Sequence, residues 1–315
     1  MSMKKIVVLV GPTAAGKSAF ALEVAERIGA EIVAADSMQV YRGMDIGTAK
    51  PSREDRDRVP HHLLDVVDPD ELFNAGLYQR EADRAIECIC QKGKVPLIVG
   101  GTGLYIKALL RGLFADPVAG KVRTWGERIR DLTALADEPW RRLARVDPQA
   151  AASIHPADRV RAQRALEVYE ATGTSITVLR SEHRFCGRRY EALMLGLTME
   201  RSALYRRIRE RVDRMIERGL VDEVKGLLAR GYSGDLPSMR GLGYRHMVAY
   251  LSGATELEEA ISRYKRDTMR YAKRQLTWFR HQEDPFWYEA PYPLTEIVER
   301  ARRFLGDNQG VMEGA

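Results

Sequence analysis

Lys4-Lys5-Ile6-Val7-Val8-Leu9-Val10-Gly11-Pro12-Thr13-Ala14-Ala15-Gly16-Lys17-Ser18 is the stretch on which the fold class turns. Its β-branched run up to Val10 reads as a buried strand, and residues 17–28 carry a helical apolar pattern. Between strand and helix stands GxxxxGK[ST], in the context a phosphate-binding loop requires. The glycines let backbone N–H groups converge on phosphate oxygens, and the helix N-terminus adds partial positive charge. Lys17 then neutralises the phosphates, and the Ser18 hydroxyl can ligate magnesium. Gly11, Thr13, Ala14, Ala15, Gly16, Lys17 and Ser18 are therefore the expected phosphate site, with Mg2+ as cofactor and Ser18 as its protein ligand.

Outward from this loop the pattern alternates. A second apolar run, residues 32–35, ends at Asp36; a helix fits residues 78–91; a third buried strand, 95–99, closes on Gly100-Gly101; and a helix follows over 102–110. Such alternation predicts an α/β fold, a P-loop NTPase-like parallel sheet flanked by helices on both faces. Residues 116–189 change character, with many arginines and short helical patterns, and strand signals return only at 192–197. This predicts a helical insertion at 116–189 in a core formed by 1–115 and 190–315. The rest reads as helical: Leu204, Ile208, Val212 and Met215 keep one face, and a long helix fits 256–279. The tail past Asp307 is small and polar and is expected to fray.

Composition narrows the function classes. Over 315 residues, 45% hydrophobic and 30% charged residues are an ordinary globular balance that argues against disorder. No apolar run approaches the ~20 residues a bilayer span needs, and the apolar stretch after Lys5 is too short for a signal peptide. No membrane association is expected, and the cytosol is the expected compartment. Cys88, Cys90 and Cys186 form no CxxC pair, and the first two point apart at i, i+2 on a helix, so reduced thiols are expected. The net charge of +6 suits a polyanionic partner, although it serves solubility equally well.

Many owners of such a loop place a carboxylate at the end of a buried strand. Here the third strand ends in Ile98-Val99-Gly100-Gly101-Thr102-Gly103, with none. The acid is instead Asp36, at the sheet edge where ligands of open α/β folds bind. Asp36 and Ser37 are expected to face the phosphate loop from the neighbouring strand; the alternative is that Asp36 only caps the following turn. Arg211, i+7 from Leu204 and i+3 from Ile208, falls on the flank of an apolar stripe, as a site residue or as an arginine snorkelling from a buried edge. Arg263, Arg266, Arg270, Lys273 and Arg274 form one basic helix face, with Ile261, Tyr264, Tyr271 and Trp278 on another. His61 and His62 are adjacent, lack a metal-like spacing and receive no catalytic role.

Longer strings then carry a resemblance. Asp36-Ser37-Met38-Gln39-Val40-Tyr41-Arg42-Gly43, Asp45-Ile46-Gly47-Thr48-Ala49-Lys50-Pro51, Val59-Pro60-His61-His62-Leu63 and Gly100-Gly101-Thr102-Gly103-Leu104-Tyr105 resemble the bacterial tRNA dimethylallyltransferases. Arg164-Ala165-Leu166-Glu167-Val168, Gly243-Tyr244-Arg245 and Lys273-Arg274-Gln275-Leu276-Thr277-Trp278-Phe279 continue it over nearly the whole chain. The insertion departs most from the pattern, with Val160 in place of a polar residue. The resemblance implies transfer of a dimethylallyl group from dimethylallyl diphosphate to N6 of the adenosine 3′ of the anticodon, with release of diphosphate. It implies catalytic roles for Asp36, Thr102 and Arg211, with Arg211 also at the diphosphate. It further implies tRNA contacts at Asp36, Ser37, Met38, Gln39, Thr102, Arg123, Arg161, Arg164, Arg240, Gly243, Tyr244, Arg245, Lys273, Arg274, Gln275, Trp278 and Arg280. The insertion would grip the anticodon stem-loop of tRNA, and a monomer is the expected state.

A carboxylate at Asp36 suits this reaction, because a neutral adenine amine is a poor nucleophile and a base that accepts its proton is typically worth ~10²- to 10⁴-fold. A base stacked in an RNA loop must be extruded to reach it, at a cost of a few kcal/mol. The main competing reading is a small-molecule or nucleoside kinase, in which Asp36 activates a hydroxyl and ADP is released. A third is an RNA-binding protein with a regulatory nucleotide switch, which predicts binding without chemistry.

Overall fold

The computed structural model describes residues 3–113, 124–128, 138–183, 187–282 and 284–306. Arg123, Cys186 and the tail past Asp307 lie outside them. Six parallel strands form the sheet: β1 (Lys5–Val10), β2 (Ala30–Ala35), β3 (His61–His62), β4 (Val95–Gly100), β5 (Glu191–Thr198) and β6 (Phe286–Glu289). Their order is β3-β2-β4-β1-β5-β6. Side chains alternate along β1, so Val7 and Leu9 enter one core and Ile6, Val8 and Val10 the other. The first face is covered by α1 (Lys17–Ile28), through Phe20 and Val24, and the second by α3 (Ala75–Gln91) and α4 (Gly103–Arg111), through Tyr78, Ile86, Ile106 and Leu109. A short α2 (Arg53–Arg58), closed by a Ser52/Asp55 capping box, precedes β3.

Two expectations are corrected. β2 does not neighbour β1, because β4 lies between them. The C-terminal end of chain is not wholly helical, since β6 adds an edge strand whose four residues, Phe-Trp-Tyr-Glu, are too few to show a period in sequence. The two-residue β3 escapes detection for the same reason.

The insertion contains α5 (Pro139–Val146), α6 (Pro148–Ser153), α7 (Arg159–Thr172) and α8 (Ile176–His183) around an apolar cluster of their own, centred on Leu143, Leu166 and Ile176. Trp125 packs on the core side, while buried Arg128, in the same short segment, pairs with Glu167 of α7. The remaining helices are α9 (Arg201–Glu217), α10 (Leu220–Ala229), α11 (Tyr244–Leu251), α12 (Leu257–Gln282) and α13 (Leu294–Leu305). Leu204, Ile208, Val212 and Met215 are the buried residues of α9, matching their spacing. α9 to α12 pack on residues 38–49 through Val40, Tyr41, Met44, Val212, Val224 and Tyr264, making a helical layer at the C-terminal edge of the sheet. Cys88 and Cys90 are free thiols.

Candidate active site

The phosphate loop is shaped by close approach. A side chain at Gly11 would begin 2.4 Å from the Leu197 carbonyl oxygen on β5, so only glycine fits there. Gly16, at φ +94°, turns the chain into α1. Lys17 Nζ donates to the carbonyls of Gly11 and Pro12, both at 2.9 Å. Burial and the nearby Arg211 guanidinium push Lys17 down to about 8, against the opposing pull of Asp36. Those three groups therefore share one electrostatic environment and line one cavity, with roughly 890 Å³ of open space.

The far wall of that cavity begins at Asp36, at the end of β2. Its Oδ1 accepts from Met38 N at 2.8 Å and Gln39 N at 3.3 Å, so it does cap the turn; Oδ2 has no hydrogen bond within the described residues. Thr102 Oγ1 accepts from Ser37 N at 3.1 Å, tying the two acceptor-side loops together. Between Asp36 and Lys17 runs the end of β4, whose Gly100 and Gly101 line the cavity without filling it. A Cβ at Gly100 would lie 2.1 Å from the Ala35 carbonyl oxygen. The missing carboxylate at this strand end thus has a steric reason.

The residues that follow Asp36 are held from outside. Glu223 of α10 accepts from the backbone N–H groups of Asp45 (2.9 Å), Ile46 (2.7 Å) and Gly47 (3.2 Å). Buried Lys50 donates to the Tyr41 carbonyl (2.5 Å), Asp45 Oδ1 (2.7 Å) and Asp65 Oδ1 (2.5 Å). The side chain of Gln39 reaches the carbonyls of Thr48 and Ala49. Met38 packs against Gly241.

α12 closes the site. Gln275 accepts from Thr13 N at 2.8 Å and donates to the Gly101 carbonyl at 3.0 Å, bridging the phosphate loop to the β4 end. One turn earlier Tyr271 lines the cavity; burial and the Asp36 charge push its phenol up to about 12. Trp278 packs on Gly103. Arg211, half-buried, reaches the cavity from α9, where burial depresses its pKa and Asp36 opposes the shift. It makes no ion pair with another described residue. Ser18 is exposed at the cavity edge. His61 lines the lower wall with Nδ1 on the Val59 carbonyl.

The expected RNA contacts divide. Lys273, Arg274 and Arg280 are exposed on α12, and Lys273 and Arg280 border a second cleft with Tyr205 and Leu276. Arg266 and Arg263 are also exposed, with Arg263 paired to Glu259 and Arg270 to Asp267. Arg240, Arg245 and Arg161 are exposed beside Asp235, Asp267 and Asp158, whereas Arg164 is half-buried against Glu167. Two of the expected contacts are corrected. Tyr244 is fully buried and donates to Glu223 at 2.6 Å, and Gly243 is buried at φ +88° against the Tyr264 ring, so neither presents a surface to RNA. Their string supports the 45–47 turn from beneath. Tyr271, Glu223 and Lys50 are residues to which sequence reasoning gave no role; Tyr271, at i−4 from Gln275, and Lys50, within the 45–51 string, left a signal, whereas Glu223 left none.

Residues 39–282 match the family described as IPP transferase, and residues 4–66 the family described as isopentenyl transferase. The chain is 52% identical over 309 residues to a tRNA dimethylallyltransferase of Geobacter sulfurreducens, covering 97% of this chain and 98% of that one. A solved tRNA isopentenylpyrophosphate transferase of Bacillus halodurans superposes with TM-score 0.71 at 40% identity, over 97% of this chain and 98% of that one. A eukaryotic dimethylallyltransferase acting on tRNA superposes with TM-score 0.79 at 29% identity, over 96% of this chain and 79% of the other.

Proposed function

The chain belongs to the IPP transferase family, and from that premise, which makes it an enzyme that transfers a dimethylallyl group to tRNA, we propose how its cavity divides the work. The phosphate loop holds the diphosphate of dimethylallyl diphosphate, and Asp36 meets the N6 amine of an extruded adenosine next to the anticodon. The observation that carries this reading is that one cavity holds both Lys17 and Arg211, the cations for a diphosphate, and Asp36, the base, with Gly100 and Gly101 of β4 lining it as well and Thr102 bonded to Ser37 beside Asp36. A nucleoside kinase would need the same loop, but the relatives named above are transferases of prenyl groups.

In the transfer, N6 forms a bond to C1 of the donor as the C1–O bond breaks, and the electron pair of that bond leaves with diphosphate. The N6 proton passes to the Asp36 carboxylate, whose Oδ2 is uncommitted while Oδ1 is fixed by the turn. Growing charge on the leaving oxygen is met by Lys17, Arg211 and the loop amides. Thr102, anchored to Ser37 N, holds the acceptor side in register with Asp36. The residues present fit magnesium: no cluster of three acidic or imidazole ligands exists among the described residues, and Ser18 offers an exposed hydroxyl, as suits an ion carried mostly by phosphate and water. Bound there, Mg2+ would supply charge neutralisation at the diphosphate. No helix of the described residues is long and apolar enough to cross a membrane.

Extrusion of the base is supported by the exposed cations of α12 and the insertion, whose phosphate contacts offset unstacking. The test is incubation with labelled dimethylallyl diphosphate, magnesium and unmodified tRNA, followed by mass spectrometry of the nucleosides. N6-dimethylallyl adenosine in the fragment 3′ of the anticodon is the expected product; a label found on another atom or position would overturn the assignment.

A further inference from the structure

Arg207 stands one turn before Arg211 on α9, so both guanidiniums project from the same helix face. Its Nη2 lies 3.3 Å, and its Nη1 3.7 Å, from where a side chain on Gly16 would begin, which sets the planar head over the turn that leads the phosphate loop into α1. Its charge also reaches Tyr292, whose phenol donates to the Ala15 carbonyl of the same loop at 2.6 Å. Arg201 is engaged on Tyr205, Arg245 and Arg270 on Asp267, and Arg263 on Glu259, whereas Arg206 and Arg209 of α9 are exposed with no ion pair among the described residues, so it is the position of Arg207 over Gly16 that sets it apart. Arg207 is exposed and has neither hydrogen bond nor ion pair with any described residue.

Three cations, Lys17, Arg207 and Arg211, therefore gather at one loop, and Asp36 is the acid that acts on two of them. Three cations against one carboxylate leave an excess of positive charge, which an anion bearing two phosphate groups relieves. A guanidinium fork matches phosphate oxygens in a way a point charge does not.

We propose that Arg207 is a diphosphate-binding residue, which engages the prenyl donor from the mouth of the phosphate loop while Lys17 and Arg211 hold it from within. This rests on the reading of the loop as the donor site. Binding of inorganic diphosphate, measured by calorimetry with magnesium present, is compared in the unaltered protein and in Arg207→Ala and Arg207→Lys, together with KM for donor and for tRNA. Arg207→Ala is expected to weaken inorganic diphosphate and raise donor KM on the order of 10- to 100-fold, with tRNA KM unchanged. Arg207→Lys should recover part of the loss, and Arg206→Ala, on the same exposed helix, should show none. Unchanged diphosphate affinity in Arg207→Ala overturns the proposal, as does a loss confined to tRNA KM, which would make Arg207 an RNA contact. If the unaltered protein fails to bind diphosphate, the donor-site reading itself fails and takes the proposal with it.

Discussion

The two walls of the cavity are built in opposite ways. The donor wall is nearly contiguous: Thr13, Ala14, Gly16, Lys17 and Ser18 all line it from one loop, shaped by glycines and by the start of α1. The acceptor wall is assembled from Asp36, Tyr271 and Gln275, on two separate segments, with Thr102 bonded to Ser37 beside Asp36 and with Glu223 and Lys50 holding the backbone that follows. A local motif tolerates change elsewhere in the chain. A wall of distant parts depends on everything that packs beneath it.

Asp36→Ala should break the acceptor wall while leaving the donor wall intact. Single-turnover transfer is expected to fall ~10²- to 10⁴-fold, with tRNA affinity and diphosphate affinity largely retained. Unchanged turnover would remove the general base from the mechanism.

Gly100→Ala attacks the partition between the walls. Its Cβ would meet backbone, the Ala35 carbonyl at 2.1 Å, so β2 and β4 must separate. A loss of at least ~2 kcal/mol, read as a drop in denaturation midpoint, is expected. A midpoint within error of the unaltered protein would show that the strands yield freely.

Titration distinguishes the walls without mutation. Lys17 lies near 8, far below an ordinary lysine, because burial and Arg211 disfavour its charge. Above that pH the empty site is neutral at Lys17 and must take up a proton to receive an anion. Donor affinity should therefore fall as pH rises through about 8, by up to about tenfold per unit, whereas tRNA affinity should not follow that slope. For stability the sign is reversed: between about 8 and the ordinary lysine range the unfolded chain binds more protons, so this group's contribution improves as pH rises. Lys17→Arg should flatten the donor profile.

The smallest effect concerns what lies beneath the acceptor wall. Tyr244→Phe removes one hydrogen bond to Glu223, for which ~1 kcal/mol of stability is expected. The salt dependence of tRNA binding should not change, since the phenol never reaches the surface. A shallower salt slope in this variant would restore Tyr244 as an RNA contact.

Much of this was legible in the chain. β1 and β4 follow from short continuous apolar runs and α1, α3 and α12 from the helical apolar period, and their expected ends lie within about three residues of those observed. The stripe on α9 correctly set Arg211 on its flank. β3 and β6 were not legible, because two and four residues carry no period, and their strand character comes from pairing with β2 and β5. Burial of Gly243 and Tyr244 was hidden for a related reason: a motif records that residues matter, without recording whether they face a ligand or support something that does.

By itself, then, the sequence determined the phosphate loop, the alternation that demands a parallel sheet, and the family. These depend on neighbours along the chain, where spacing and residue type dictate geometry. Only the tertiary structure decided that β4 separates β2 from β1, that its glycine end leaves room between Lys17 and Asp36, and that α9 and α12 bring Arg211, Tyr271 and Gln275 to the same space. Those are contacts between segments tens to hundreds of residues apart, fixed by the packing of whole faces, which no local pattern encodes.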